Sequence, residues 1–68
     1  MTKYEICAYN QLTGECEIDS CQYSMPRKAD ALRLAKRIKK ENPHWTVILQ
    51  AVNEEEILDD MTIQEEQK

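Results

Sequence analysis

A row of basic side chains is the feature of this sequence best suited to binding chemistry. Arg33, Lys36, Arg37 and Lys40 recur at intervals of three and four residues, and this spacing puts them on one face of an α-helix. Like charges at these intervals repel one another, so such a row favours an acidic partner; its alternative interpretation is a solvated helix face. We call these four residues the basic ridge and treat them as candidate partner-binding residues.

Three cysteines and one histidine supply the atoms that a metal site would need. Cys7, Cys16, Cys21 and His44 add up to a Cys3His set, and zinc accepts that combination. The set contains no Cys-x2-Cys knuckle, and the strand register expected below turns Cys7 and Cys16 to opposite faces of a sheet. We therefore expect free thiols, with no metal and no cofactor.

The single histidine, His44, is the side chain most suited to general-base catalysis at neutral pH. A catalytic role would also require a nucleophile, an orienting carboxylate and a pocket, and a sheet of this size rarely encloses one. We expect no enzymatic activity. The neighbouring Trp45 is expected to anchor the start of a strand against the end of the helix.

Charge is distributed in three blocks along the chain. Residues 1–26 carry one basic and four acidic side chains, a balance of −3. Residues 27–41 carry seven basic and two acidic side chains, a balance of +5. From residue 42 onward, seven acidic side chains face one basic side chain, a balance of −6. The formal net charge of −4 therefore hides local fields of both signs.

Length and composition indicate one small globular domain with a thin core. The chain has 68 residues, of which 41% are hydrophobic and 32% charged. No apolar run reaches the roughly 18 residues that cross a bilayer, and residues 1–6 lack the regions of a signal peptide. The odd number of cysteines favours reduced thiols. We expect a soluble, cytoplasmic protein without a membrane partner.

Two alternating segments predict a β-hairpin. Residues 3–9 and 15–23 alternate polar and apolar side chains, and Gly14, the only glycine, closes the turn between them. We expect Ala8 to pair with Cys16 and Ile6 with Ile18. That register puts five side chains on the core face: Tyr4, Ile6, Ala8, Cys16 and Ile18.

A helix and a third strand follow the hairpin. Residues 26–40 have a helical period, with Ser24 as the expected N-cap and Pro43 just beyond the end. Residues 44–52 favour a strand antiparallel to the first. The expected fold class is α+β: a three-stranded antiparallel sheet in the order 2-1-3, with the helix on one face (ββαβ). The apolar stripe of the helix is expected to consist of Ala31, Leu34, Ala35 and Ile38.

The C-terminal part predicts a short helical segment. Residues 53–56 resemble a capping box, and Ile57, Leu58 and Met61 follow at helical spacing. We expect one or two helical turns there, a single domain over residues 1–61, and a frayed acidic tail at 62–68.

Secondary partner-binding candidates lie outside the helix. Tyr9 is expected on the outer sheet face, amid carboxylates. The third strand offers apolar side chains to both faces, so a homodimer through the third strand or the open sheet face is a further expectation. Consecutive carboxylates near the C-terminus are candidates for imitating nucleic acid toward a basic partner: Glu54, Glu55, Glu56, Asp59 and Asp60.

The sequence also carries a resemblance to a class of small proteins. Its hairpin closed by Thr13-Gly14-Glu15, its Ser-capped helix ending in Lys39-Lys40, and its last strand running into Asn53 resemble small ββαβ accessory proteins encoded by bacteriophages and mobile elements. Some of these are anti-CRISPR proteins or other inhibitors of host defence. The resemblance covers residues 3–56. It implies an inhibitor that docks on a host protein or ribonucleoprotein in the host cytoplasm.

Together these features predict a non-enzymatic protein that binds a host protein or ribonucleoprotein through the basic ridge. One alternative is a direct nucleic-acid-binding domain, although the sequence has no base-stacking or groove-reading motif. The other alternative is the acidic imitation of nucleic acid by the 54–60 segment.

Overall fold

A computed structural model describes residues 2–19, 22–54 and 56–64 of the chain. Its class is α+β, as the sequence predicts, with one helix and an antiparallel sheet. Cys21, Glu55 and the last four residues lie outside the described part. The elements, in chain order, are β1 (Thr2–Asn10), β2 (Cys16–Ile18), β3 (Ser24–Met25), α1 (Lys28–Glu41), β4 (Trp45–Asn53) and β5 (Glu56–Thr62).

The sheet contains the predicted strand order and extends it. Its strands lie in the order β2-β1-β4-β5, and β3 also pairs with β1. The predicted 2-1-3 arrangement corresponds to β2-β1-β4, and the prediction of only three strands is wrong. Because β4 pairs with β1 on one side and β5 on the other, its edges are occupied and cannot pair with a second copy.

The turn after β1 is built around Asn10. Its Oδ1 accepts a hydrogen bond from the backbone N–H of Leu12 at 2.8 Å, and its carbonyl accepts one from Gly14 at 2.7 Å. Gly14 has a φ of 76°, a left-handed conformation that residues with a Cβ adopt only with strain. The sequence prediction of a glycine-closed turn is thus confirmed.

The pairing of this hairpin differs from the predicted register. Ala8 pairs with Ile18 and Tyr9 with Cys16, with an irregularity between the two pairs. The predicted pairs of Ala8 with Cys16 and Ile6 with Ile18 are wrong, because an extra residue on the β2 side shifts the alternation. Ile18 keeps its place in the core, whereas Cys16 moves to the opposite face.

Helix α1 begins later than predicted. Its N-cap residue is Arg27, which makes no side-chain capping bond, and Ser24 lies in β3 instead. Pairing of Ser24 with Glu5 in the sheet competes with the capping role that its residue type favours. The helix ends at Glu41, where the N–H of Asn42 donates to the carbonyl of Ile38, just before Pro43.

One cluster of buried side chains joins α1 to the sheet. Ile6 and Val47 are the largest fully buried side chains. Tyr4, Leu34 and Trp45 are partly buried against the cluster, and Trp45 lies at the helix end, as predicted. The buried members are Ile6, Ala8, Ile18, Ala31, Ala35, Ile38, Val47, Leu49 and Ile63.

The predicted C-terminal helix is wrong, because residues 56–62 form β5. Asn53 pairs with Glu56 across a two-residue connection, and Glu54 takes a positive φ of 59°, as tight hairpin turns require. Pairing with β5 gives hydrogen-bond partners to the backbone N–H and carbonyl groups along the edge of β4, and this gain outweighs the local capping signal of residues 53–56. β-structure also continues beyond Met61, since Ile63 is buried and its N–H donates to the carbonyl of Val47.

Candidate functional site

The basic ridge lies on the side of α1 that faces away from the sheet. All four of its side chains are exposed, and the buried positions of the helix include Ala31, Ala35 and Ile38. These small and branched side chains fix the rotation of the helix on the sheet, because turning it would expose them. The packing of the core therefore presents the basic ridge to solvent in one orientation.

The cations of the basic ridge have little internal neutralisation. Arg37 Nε lies 3.8 Å from Glu41 Oε2 across one helical turn, and both side chains are largely exposed. An exposed pair of this kind contributes about 0.3–0.5 kcal/mol in a helix. Within the described ranges, Arg33, Lys36 and Lys40 form no ion pair. The basic ridge is thus available to an external acidic group.

Lys39 is the basic side chain of α1 that the structure turns inward. It is buried, and its ammonium donates to the carbonyl of Pro43 at 3.1 Å and to that of Trp45 at 2.8 Å. These bonds connect the end of α1 to the start of β4. The sequence held a signal for this, since Lys39 follows the core residue Ala35 by four positions and so continues the apolar stripe.

Tyr9 lies on the open face of the sheet, by which we mean the face away from α1. It is 45% exposed and pairs with Cys16 on one side and Thr46 on the other. The prediction placed Tyr9 on this face, and the register confirms the position. The amide of Gln11 reaches the Thr46 hydroxyl at 3.1 Å and covers part of the neighbouring strand end.

Cys7 and Cys16 share the open face, contrary to the predicted opposite faces. Cys16 pairs with Tyr9, two positions along β1 from Cys7, because of the shifted hairpin register. Burial raises the pKa of the Cys7 thiol above its usual 9.0, and the nearby Cys16, Asp19, Asp60 and Glu5 add to this. Across the described part of the chain, no three His, Cys, Asp or Glu side chains converge as a metal site requires.

These surroundings predict a difference in thiol reactivity. Because the thiolate is the reactive form, Cys7 should be alkylated by iodoacetamide much more slowly than Cys16 at pH 8. Cys7 is 7% exposed and has a raised pKa, whereas Cys16 is exposed. Peptide mapping by mass spectrometry after timed labelling measures both rates. In urea the two rates should converge; equal rates in the folded protein would contradict this placement of Cys7.

The acidic candidates near the C-terminus lie at and after a hairpin turn. Glu54 is exposed in the turn and Glu56 is exposed at the start of β5. Glu55 lies outside the described residues. Asp59 and Asp60 follow on β5, where they pair with Ala51 and Gln50. Strand geometry turns adjacent side chains to opposite faces, so Asp59 and Asp60 lie on opposite faces of the sheet and not on the short helical segment that was expected.

A cleft with a volume of about 380 Å³ lies at the surface. Among the described residues that line it, the ionisable one is Lys39, whose ammonium already donates to the carbonyl groups of Pro43 and Trp45. His44, the candidate base, is exposed and is not among its lining residues. The residues lining this cleft are Gln11, Lys39, Pro43, Thr46, Thr62, Ile63 and Gln64.

Comparison with protein-family models, curated proteins and solved structures gives no match for this chain. In the portion of the chain that the structure describes, α1 and any other helical stretch fall short of the length and apolarity that spanning a bilayer demands.

Proposed function

We propose that this chain is a non-enzymatic binding protein that docks through the basic ridge on an acidic surface of another protein or of a ribonucleoprotein. The observation that carries this proposal is the exposure of four cations on one helix face, of which only Arg37 has an ion-pair partner within the described residues. Such a surface raises the rate of encounter with an acidic partner and sets the orientation of docking.

The fixed position of α1 on the sheet also supports the proposal. Because α1 is anchored by Ala31, Ala35 and Ile38, the cations approach a partner from one preorganised framework. Binding then requires little ordering of the backbone, and this lowers its entropic cost. The resemblance of residues 3–56 to phage accessory proteins favours an inhibitor or regulator of a host complex, acting in the host cytoplasm.

Charge reversal of the basic ridge tests the proposal. The variant Arg33→Glu, Lys36→Glu, Arg37→Glu should lose capture of its partner by at least tenfold, because attraction becomes repulsion. Arginine, lysine and glutamate have similar helix propensities. Loss of the ion pair between Arg37 and Glu41 is offset by attraction between the new carboxylate at position 36 and Lys40, one helical turn further on. The fold should therefore survive, which circular dichroism and urea unfolding will check.

A matched control keeps this experiment specific. The variant Lys3→Glu, Arg27→Glu, Lys28→Glu makes the same change in net charge at three exposed positions outside the basic ridge. Immobilised wild type and both variants are incubated with a bacterial host lysate, and captured proteins are quantified by mass spectrometry. A partner retained by the wild type and the control but lost by the ridge variant supports the proposal. Equal capture by all three chains would reject it.

A second measurement distinguishes direct binding of nucleic acid from docking on a protein. Fluorescence anisotropy with a 20-base-pair DNA duplex and a 20-nucleotide RNA is measured at about 50 and 200 mM salt. A phosphate-binding ridge would give binding that weakens steeply as salt rises. For a ridge that docks on an acidic protein surface, we expect no binding to either oligonucleotide, and capture of a partner that contains no nucleic acid should be unchanged by nuclease treatment of the lysate.

A further inference from the structure

The outer edge of β5 is the longest free strand edge in the described part of the chain. β5 contains seven residues, and β4 is its only partner among the described strands. On the other side of the sheet, the neighbours of β1 are β2, with three residues, and β3, with two. A strand edge of seven residues is long enough to accept another strand.

The backbone of β5 directs hydrogen-bonding groups outward at defined positions. Ile63 donates its N–H to the carbonyl of Val47 at 2.8 Å, so the backbone of Ile63 faces β4. Because this direction alternates along a strand, the N–H groups of Thr62 and Asp60 point away from β4. The Asp60 N–H accordingly bonds to the carboxylate of Asp59 at 2.9 Å rather than to β4.

The side chains around this edge define what can bind there. Ile57 is 56% exposed and Leu58 is 52% exposed, and Met61 is exposed as well. Three carboxylates accompany them on the same strand: Glu56, Asp59 and Asp60. Antiparallel pairing of two copies about the centre of β5 would bring the two Asp59 carboxylates opposite one another, and like charges in that position destabilise a sheet.

We propose that the free edge of β5 accepts an extended segment of a partner protein that carries lysine or arginine side chains. Main-chain hydrogen bonds to the N–H and carbonyl of Thr62 and to the carbonyl of Asp60 would add the segment to the sheet, and its basic side chains would meet the β5 carboxylates that lie on the same face of the sheet. The exposed apolar side chains of β5 would contact apolar residues that alternate with the basic ones. This surface is separate from the basic ridge. It would bind a basic segment, whereas the basic ridge would bind an acidic surface.

A synthetic peptide of alternating lysine and valine, eight residues long, tests the proposal. Binding to the 15N-labelled protein is followed by NMR, with amide hydrogen exchange measured in the free and bound states. The Thr62 amide should exchange at least tenfold more slowly in the complex, because strand addition engages an N–H that faces solvent in the free protein. A peptide of alternating glutamate and valine should not bind.

Variants of the protein locate the site. Thr62→Pro removes the outward N–H without affecting a bond to β4 and should abolish binding, whereas Thr62→Val should retain it. Asp59→Asn with Asp60→Asn should weaken binding at least fivefold. The matched pair Glu15→Gln with Glu17→Gln, which removes two exposed carboxylates near β2, should leave binding unchanged, as should the ridge variant.

Three results would overturn the proposal. One is binding of the lysine peptide without slower exchange at Thr62, which would show attraction by charge alone. Another is full binding by Thr62→Pro with its fold intact. The third is concentration-dependent dimerisation of the wild type, seen by analytical ultracentrifugation and lost in Thr62→Pro, which would assign the edge to a second copy of this chain.

Discussion

Replacing Ile6 with alanine should lower the free energy of unfolding by about 2–5 kcal/mol. Ile6 is 0% exposed, pairs with Leu49 in the neighbouring strand and belongs to the cluster that joins α1 to the sheet. Removing three carbon atoms there leaves a cavity that the rigid surroundings fill only in part. A chain of this length has a total stability of about 3–10 kcal/mol, so the loss takes a large share.

Urea unfolding followed by far-UV circular dichroism measures this effect. The control is Leu12→Ala, because Leu12 is 74% exposed in the turn after β1; its substitution should change stability by less than about 0.5 kcal/mol. Comparable losses for the two variants would show that the cluster around Ile6 does not form the core.

Replacing Lys39 with methionine should lower the free energy of unfolding by about 1–3 kcal/mol, because the carbonyl groups of Pro43 and Trp45, between the end of α1 and the start of β4, would lose a charged donor. Methionine keeps the length and the apolar contacts of the side chain, so the loss reports on the ammonium and its bonds to Pro43 and Trp45. Since Lys39 is buried, the freed carbonyl groups gain only limited access to water.

The neighbouring Lys40 provides the matched control. Lys40→Met makes the same chemical change at an exposed position of the basic ridge and should leave the unfolding free energy within about 0.5 kcal/mol of the wild type. Thermal and urea unfolding of both variants give the comparison. A larger loss for Lys40→Met than for Lys39→Met would contradict the inward placement of Lys39.

The parts of the fold that the sequence predicts are those with strong local periodicity. The helical spacing of Ala31, Ala35 and Ile38 places α1 and its buried face within about one turn of the observed limits. The alternation around Ile6 similarly locates β1 and its core face. Both patterns depend only on which side chains are apolar, and those apolar side chains are the ones buried in the core.

The parts that the sequence does not predict depend on contacts between distant segments. The capping signal of residues 53–56 is local, whereas β5 forms because the edge of β4 needs a neighbour. The extra residue in β2, between Cys16 and Ile18, shifts the register in a way that alternation alone does not reveal. Ser24 has the residue type of a helix cap but pairs with Glu5 in the sheet.

The two candidate binding surfaces differ in the same way: one follows from local periodicity, and the other depends on contacts between distant segments. Exposure of Arg33, Lys36 and Lys40 follows from the helical period, so the sequence identifies the basic ridge before the structure is known. The free edge of β5 could not be found in that way, because a segment expected to be helical has no strand edge. The hydrogen bond from the Ile63 N–H to the Val47 carbonyl shows which backbone groups of β5 face outward, and only the folded chain contains this bond.

The thinness of the two-layer framework determines how far its charges influence one another. Its shortest Cα dimension is 17 Å, roughly twice the Debye length of about 8 Å at physiological ionic strength. Exposed charges that are separated by more than a Debye length are largely shielded from each other by salt. An acidic partner at the basic ridge and a basic segment at β5 could therefore bind at the same time. The formal net charge of −4 does not predict the affinity of either.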